Sequence, residues 1–221
     1  MTPTVTRTLS EHESKRVLAA AGVPVLDERL VQTAKAAVDA ARAVASGAAV
    51  VVKLCGDGVT HKTERGLVRL GLHGDDDVGA ASAALLDAAT PEDGAVGVLV
   101  APMVRGSREL IAGVYRDEQF GPSVMLGIGG VLAEALADVA FRLVPVERVD
   151  AEEMLDDLAA QPLLGPVRGE PRVDRGAVAD VILALSRLTE DRADIVSVDV
   201  NPLVVVDGDP VAVDALVEVR A

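Results

Sequence analysis

Ile195-Val-Ser-Val-Asp-Val-Asn-Pro-Leu-Val-Val-Val-Asp-Gly-Asp-Pro-Val-Ala-Val-Asp214 is the stretch on which the reading of the fold turns. Two β-branched runs flank Asp207-Gly208-Asp209, the signature of a hairpin. Side chains repeat every two residues along a strand, so Asp199 and Asn201 share one face of the first arm. Asp214 ends the returning arm, where the hairpin brings it towards Asn201. Carboxylates and a carboxamide in otherwise apolar strands are costly to bury unless something pairs with them. Two readings stay open: a surface hairpin whose acids face water, or an oxygen-only cation site. Mg²⁺ suits the second, because it takes one or two carboxylates and fills its shell with phosphate oxygens and water.

The chain has 221 residues, half of them hydrophobic, enough for a core in one large domain or two small ones. Aromatics are 1%, so Val, Leu and Ala must build that core. A net charge of −14, with no basic patch carrying aromatic platforms, argues against nucleic-acid binding. No apolar run approaches the roughly 20 residues that span a bilayer, and the N-terminus lacks a signal-peptide core. A cytoplasmic protein without membrane association is expected. The single cysteine, Cys55, excludes an intrachain disulfide framework and a cysteine zinc site. Of 21 basic residues only Lys15, Lys35, Lys53 and Lys62 are lysine. In so arginine-rich a chain, a lysine marks a place where a compact ammonium is wanted.

Ser10 and Glu13 form a capping-box pattern opening a helix from Leu9 to Gly22. A short strand over Val23–Leu30 and a Thr33-capped helix to Ser46 follow. Ala48–Leu54 reads as a buried strand, Cys55–Gly66 as a polar loop, Leu67–Leu72 as a strand and Asp75–Ala89 as a helix. Pro91-Glu-Asp-Gly94 punctuates the chain and divides it into domains 1–93 and 94–221. Strands are then expected at Val96–Val104, Glu109–Tyr115, Pro122–Gly127 and Phe141–Val144, with helices at Ala151–Gln161 and Val173–Thr189 before the hairpin. The pattern is α+β, two halves around a cleft.

Several residues in this frame are equipped for chemistry. Lys53, at the end of a buried strand, is either a phosphate clamp or a lysine snorkelling to solvent. His61-Lys62 lies in the loop that follows; a histidine there can act as nucleophile toward phosphorus, or sit on a solvated surface. Glycines 56, 58 and 66 give that loop freedom to move. Gly127-Ile-Gly-Gly130 resembles a phosphate cradle but lacks Rossmann or P-loop spacing. Glu109 begins a strand and faces either a cleft or water. His12 and His73 read as an amphipathic-helix residue and a turn residue.

Taken in order, Leu-Ser-Glu-x-Glu-x-Lys, Val-Val-Lys, His-Lys-Thr, Ala-Pro-Met-Val, Glu-Leu-Ile-x-Gly, Gly-Pro-Ser-Val-Met-Leu-Gly-Ile-Gly-Gly, Asp-Val-Ala-Phe-Arg-Leu and Asp-Val-Asn-Pro-Leu resemble the ATP-grasp β subunit of ADP-forming acyl-CoA synthetases. Acetate–CoA ligase is the best-known member and succinyl-CoA synthetase a more distant relative. The resemblance runs from about Leu9 to Val213 and is most specific over Gly121–Leu143 and Asp199–Leu203.

What it implies is an ATP-grasp fold, two α+β subdomains enclosing ATP or ADP with Mg²⁺. It implies Lys53 as the phosphate-binding lysine, the backbone of Val100, Ala101 and Met103 as the adenine hinge, and Glu109 as a nucleotide-site acid. Gly129 and Gly130 fall in the glycine segment, Asn201 and Asp214 match the metal ligands, and Asp199 is the acid of the same motif. His61 matches a histidine that relays phosphate to a histidine of a partner α subunit, in an assembly of the heterotetramer kind. The loop departs from the family's usual Ser-Pro-Asp, reading Cys55-Gly56-Asp57-Gly58. The CoA-binding and ligase domains would reside on that α subunit, so this chain is expected to be the nucleotide half of an acid–thiol ligase. The alternatives are another ATP-grasp ligase complete in itself, and a non-catalytic nucleotide-binding regulatory module.

Overall fold

The computed structural model describes residues 5–59, 62–130 and 137–221. Along the chain run β1 (Thr6–Thr8), α1 (Glu11–Ala21), β2 (Arg29–Val31), α2 (Ala34–Ala45), β3 (Val50–Gly56), β4 (Val68–Leu72), α3 (Gly74–Asp87) and β5 (Ala95–Pro102). Then come β6 (Glu109–Asp117), β7 (Gly121–Ile128), β8 (Val139–Leu143), α4 (Arg148–Asp157), α5 (Arg175–Asp191), β9 (Ile195–Val206), β10 (Asp209–Ala212) and β11 (Ala215–Arg220). These elements form two compact units. The smaller comprises Leu9–Glu13 and Leu26–Val104; the larger comprises Met1–Thr8, Ser14–Val25 and Arg105–Ala221.

The smaller unit is an antiparallel sheet in the order β2-β5-β3-β4. Every residue of β3 is buried. Its Val50, Val52 and Leu54 join Val98 and Val100 of β5, Ala37 and Ala40 of α2, and Val78 and Leu85 of α3 in one core. Small alanines on α2 let that helix approach the valine-rich sheet closely. Thr33 caps α2 by accepting from the Ala36 amide at 3.2 Å. Arg42 of α2 grips both carboxylate oxygens of Asp75 at the start of α3, its Nε at 3.2 Å from Oδ1.

The larger unit is a sheet in the order β1-β11-β9-β6-β7-β8, with β10 folded back on β9. The β9–β10 turn is Asp207-Gly208, both residues at positive φ, 53° and 102°. That is the two-residue hairpin geometry whose twist matches the strands. One face of the sheet, with Leu110, Ala112, Val114, Val124, Leu126, Val198 and Val200, is buried, and α5 packs on β6 and β7. Alternation therefore leaves Gly113, Met125, Asp199 and Asn201 on the opposite face.

Three expectations change. The strand expected at Val23–Leu30 is only Arg29–Val31, preceded by an isolated bridge between Val25 and Ala212. The units do not divide at 93/94: β5 lies between β2 and β3, paired with β3 from Val50↔Pro102 to Gly56↔Ala95, and belongs to the smaller one. Strands β1 and β11 were not anticipated; they pair with each other, Thr6 opposite Arg220. Among the described residues no helix is long and apolar enough to cross a membrane.

Candidate functional site

In the smaller unit the alternation of β3 sends Lys53 to the face opposite the core. It does not snorkel. Its side chain is 9% exposed, and Nζ donates to Glu11 Oε1 at 2.7 Å. Lys62 donates to the other oxygen of the same carboxylate. Two of the chain's four lysines thus converge on Glu11, the first residue of α1. Cys55, two residues beyond Lys53, is buried, and burial pushes its thiol up, the reverse of what a reactive cysteine needs.

Thr60 and His61 lie outside the described residues, so the histidine expectation has no structural counterpart here. The flanking backbone is well defined by its bonds: Leu67 N–H donates to Lys62 O at 2.7 Å and Gly58 N–H to Asp93 O at 3.0 Å. The glycines expected to loosen this loop do something else. A Cβ on Gly56 would stand 2.3 Å from Asp93 O, and one on Gly58 would stand 2.0 Å from Glu92 O. Both are needed for close backbone approach to the Pro91–Asp93 turn, and only Gly66, at φ 66°, uses the left-handed region. Val100 and Ala101 lie buried in β5, with the Val100 side chain in the core. The Met103 amide donates to Ala49 O at 2.9 Å, which removes that donor from any role in binding a ligand.

The larger unit brings the other expected residues into two groups. Gly129 N–H donates to Glu109 O at 2.8 Å, and the Glu109 carboxylate lies near Gly130, 3.8 Å from where a Cβ would be. At the β9 end, Asn201 N–H donates to Asp214 O at 3.2 Å, so the hairpin does draw these two together. Asp214 Oδ1 accepts from the Ala215 amide at 2.9 Å. Asp199 stands opposite Gly113 on one side and Leu216 on the other. Although Asp199 reaches solvent, the protein around it, and secondly the charge of Asp214, raise its carboxyl above the ordinary value. Two carboxylates that repel each other are stabilised by a shared cation. Among the described residues no group of three or more His, Cys, Asp or Glu converges. The donor set is Asp199, Asp214 and Asn201, all oxygen and few, which fits Mg²⁺ completed by phosphate oxygens better than a metal that needs a full protein cage.

Reasoning from the sequence missed Glu11. Its signal was masked because Ser10 and Glu13 already explained an acidic helix start, and that capping box is present, with Ser10 N–H to Glu13 Oε2 and Glu13 N–H to Ser10 Oγ both at 3.3 Å. It also missed Asp93, which accepts a two-pronged contact from Arg65.

The chain matches the ATP-grasp domain family over residues 3–219. It is 34% identical over 212 residues to the acetate–CoA ligase (ADP-forming) I subunit beta of Pyrococcus furiosus, covering 95% of this chain and 90% of that one. Against acetate–CoA ligase (ADP-forming) I of Archaeoglobus fulgidus it is 38% identical, covering 90% of this chain but 30% of that longer one. Among solved structures, the dinucleotide forming acetyl-coenzyme A synthetase 1 of Ca. Korarchaeum cryptofilum, in complex with coenzyme A, Ca-AMPCP and HgCl+, gives a TM-score of 0.90 at 33% identity, over 97% of this chain and 94% of that one. A second form of that protein, with coenzyme A, Mg-AMPPCP and its phosphohistidine segment pointing towards the nucleotide binding site, gives 0.83 at 33% identity, over 97% and 93%. Antiparallel α+β units, a lysine within a buried strand and a hairpin presenting oxygen donors agree with these likenesses: the chain belongs to the ATP-grasp domain family, in the group of ADP-forming acetate–CoA ligase β subunits.

Proposed function

We propose that this chain is the nucleotide-handling β subunit of an ADP-forming acyl-CoA synthetase. The reaction is carboxylate + CoA + ATP ⇌ acyl-CoA + ADP + phosphate, completed on a partner α subunit that carries the CoA and ligase sites, within a heterotetramer in the cytoplasm. Lys53 binds the nucleotide phosphates, with its ammonium held ready on β3. The end of β5 with Val100 and Ala101, and Met103 just after it, lie against the adenine, and Glu109 of β6 with Gly129 and Gly130 after β7 contacts the nucleotide from the larger unit. Asn201 and Asp214, with Asp199 beside them, hold Mg²⁺, which when bound neutralises charge on the transferring phosphoryl group. His61 accepts that phosphoryl group and passes it to the partner.

The observation that carries this reading is the Asp199–Asn201–Asp214 donor set on β9 and the link from β10 to β11. Calorimetric titration with Mg-ATP tests it on the purified chain. Asn201→Ala and Asp214→Ala are each expected to lose at least about tenfold in Mg-dependent affinity, about 1.4 kcal/mol, with the circular dichroism spectrum unchanged. Wild-type Mg-ATP affinity in both variants sinks the assignment.

A further inference from the structure

The Glu11 side chain is 3% exposed, yet nothing in the reaction so far uses it. A carboxylate has two acceptor oxygens, and here each takes a different ammonium: Oε1 that of Lys53 at 2.7 Å, Oε2 that of Lys62. The three groups come from three places in the smaller unit: the first turn of α1, the strand β3, and the turn directly after His61. Lys53 is the more deeply held arm; Lys62, on a turn, is 16% exposed.

A lysine carries its charge on a flexible four-carbon stem with three rotatable donors. A buried carboxylate bound to one of those donors restricts where the ammonium can sit. Screening by salt is weak at such burial, so the constraint persists under cellular conditions. Glu11 itself sits on a helix and Lys53 on a central strand, both rigid supports.

We propose that Glu11 is a positioning residue for phosphoryl transfer. It fixes the Lys53 ammonium for the nucleotide phosphates, and with its second oxygen it ties the segment carrying Lys62, the neighbour of His61, to the same point. This rests on the reading of Lys53 as the phosphate-binding lysine.

Glu11→Gln separates the roles, because a carboxamide of the same shape accepts from one ammonium only and presents its own N–H₂ to the other. Mg-ATP affinity of the full-length chain is measured by calorimetry for wild type, Glu11→Gln, Lys53→Met and the double variant, with thermal melts alongside. Each single variant is expected to bind about tenfold more weakly, and the double variant to match Lys53→Met within about twofold, because two residues acting through one group do not add. Wild-type affinity in Glu11→Gln, or a further tenfold loss in the double variant, overturns the positioning role while leaving Lys53 in place. Wild-type affinity in Lys53→Met overturns the phosphate reading and the positioning role with it. Should Glu11→Gln not fold, Glu11→Asp enters the same cycle. It keeps the charge but falls one methylene short of spanning both lysines, and the same loss in the wild-type background and absence of loss beside Lys53→Met are expected.

Discussion

Asp93 is 1% exposed and accepts from Arg65 at 2.7 and 3.0 Å, from the Thr90 amide at 2.9 Å and from the Thr90 hydroxyl at 3.0 Å. The Arg65 guanidinium, then the Thr90 amide, hold its carboxyl well below the usual carboxylate range. A carboxyl depressed in the folded state contributes stability that is fully present above its unfolded value, about 4, and is lost as the pH falls below it. Asp93→Asn keeps the shape but turns an N–H₂ on the exposed Arg65 and forfeits hydrogen bonds made to a buried charge, a loss of about 1.5–3 kcal/mol. Urea unfolding at pH 7 and pH 3 checks this: the gap between wild type and variant should be present at neutral pH and shrink in acid. An equal gap at both values would assign the loss to packing and not to charge.

At the scale of elements, what the sequence disclosed depended on how far apart in the chain the partners lie. The hairpin was legible because Asp207-Gly208 and its flanking valines are neighbours, and β3 because its apolar run is continuous. Strand β1 was not, since it is three residues long and its partner, Arg220 opposite Thr6, lies at the far end of the chain; the six-residue β11 does alternate, and that signal was passed over behind the hairpin. The same distance hid Glu11, whose partner Lys53 is 42 positions away. Gly56 and Gly58 were misread for a related reason: glycine reports permissiveness, but not whether it serves motion or close contact. Substitution distinguishes the two. Gly58→Ala places a methyl 2.0 Å from Glu92 O and must shift the loop after β3 off the Pro91–Asp93 turn, costing about 1–3 kcal/mol or more. Gly66→Ala meets nothing nearer than Arg69 Nη1 at 3.6 Å, so only its left-handed backbone, about 1–2 kcal/mol, opposes it. Denaturation midpoints should fall further for Gly58→Ala; the reverse order would mean that the loop is not held by this approach.

For the molecule as a whole, electrostatics and length bear on the same question. A chain of net charge −14 repels nucleotides at long range, so cations must act locally, and the Lys53–Glu11–Lys62 cluster supplies two of the four lysines in one place. The chain spans 30% of the Archaeoglobus fulgidus ligase, and the CoA chemistry is assigned here to a partner. Purified alone, the chain should bind ATP and ADP but release no acyl-CoA. Adding an α subunit with a CoA site should restore turnover in the range of about 1 to 1,000 per second. Synthesis by the single chain at such rates would contradict the division of labour. His61 then tests the route between the two subunits. With the partner present, His61→Ala should abolish net synthesis while ATP binding persists, because the nucleotide contacts assigned to Lys53, Asn201 and Asp214 remain. His61→Asn retains hydrogen bonding without a nucleophilic nitrogen. Turnover near wild type in that variant would remove His61 as the carrier and leave Lys62, tied to Glu11, as the residue through which the loop acts.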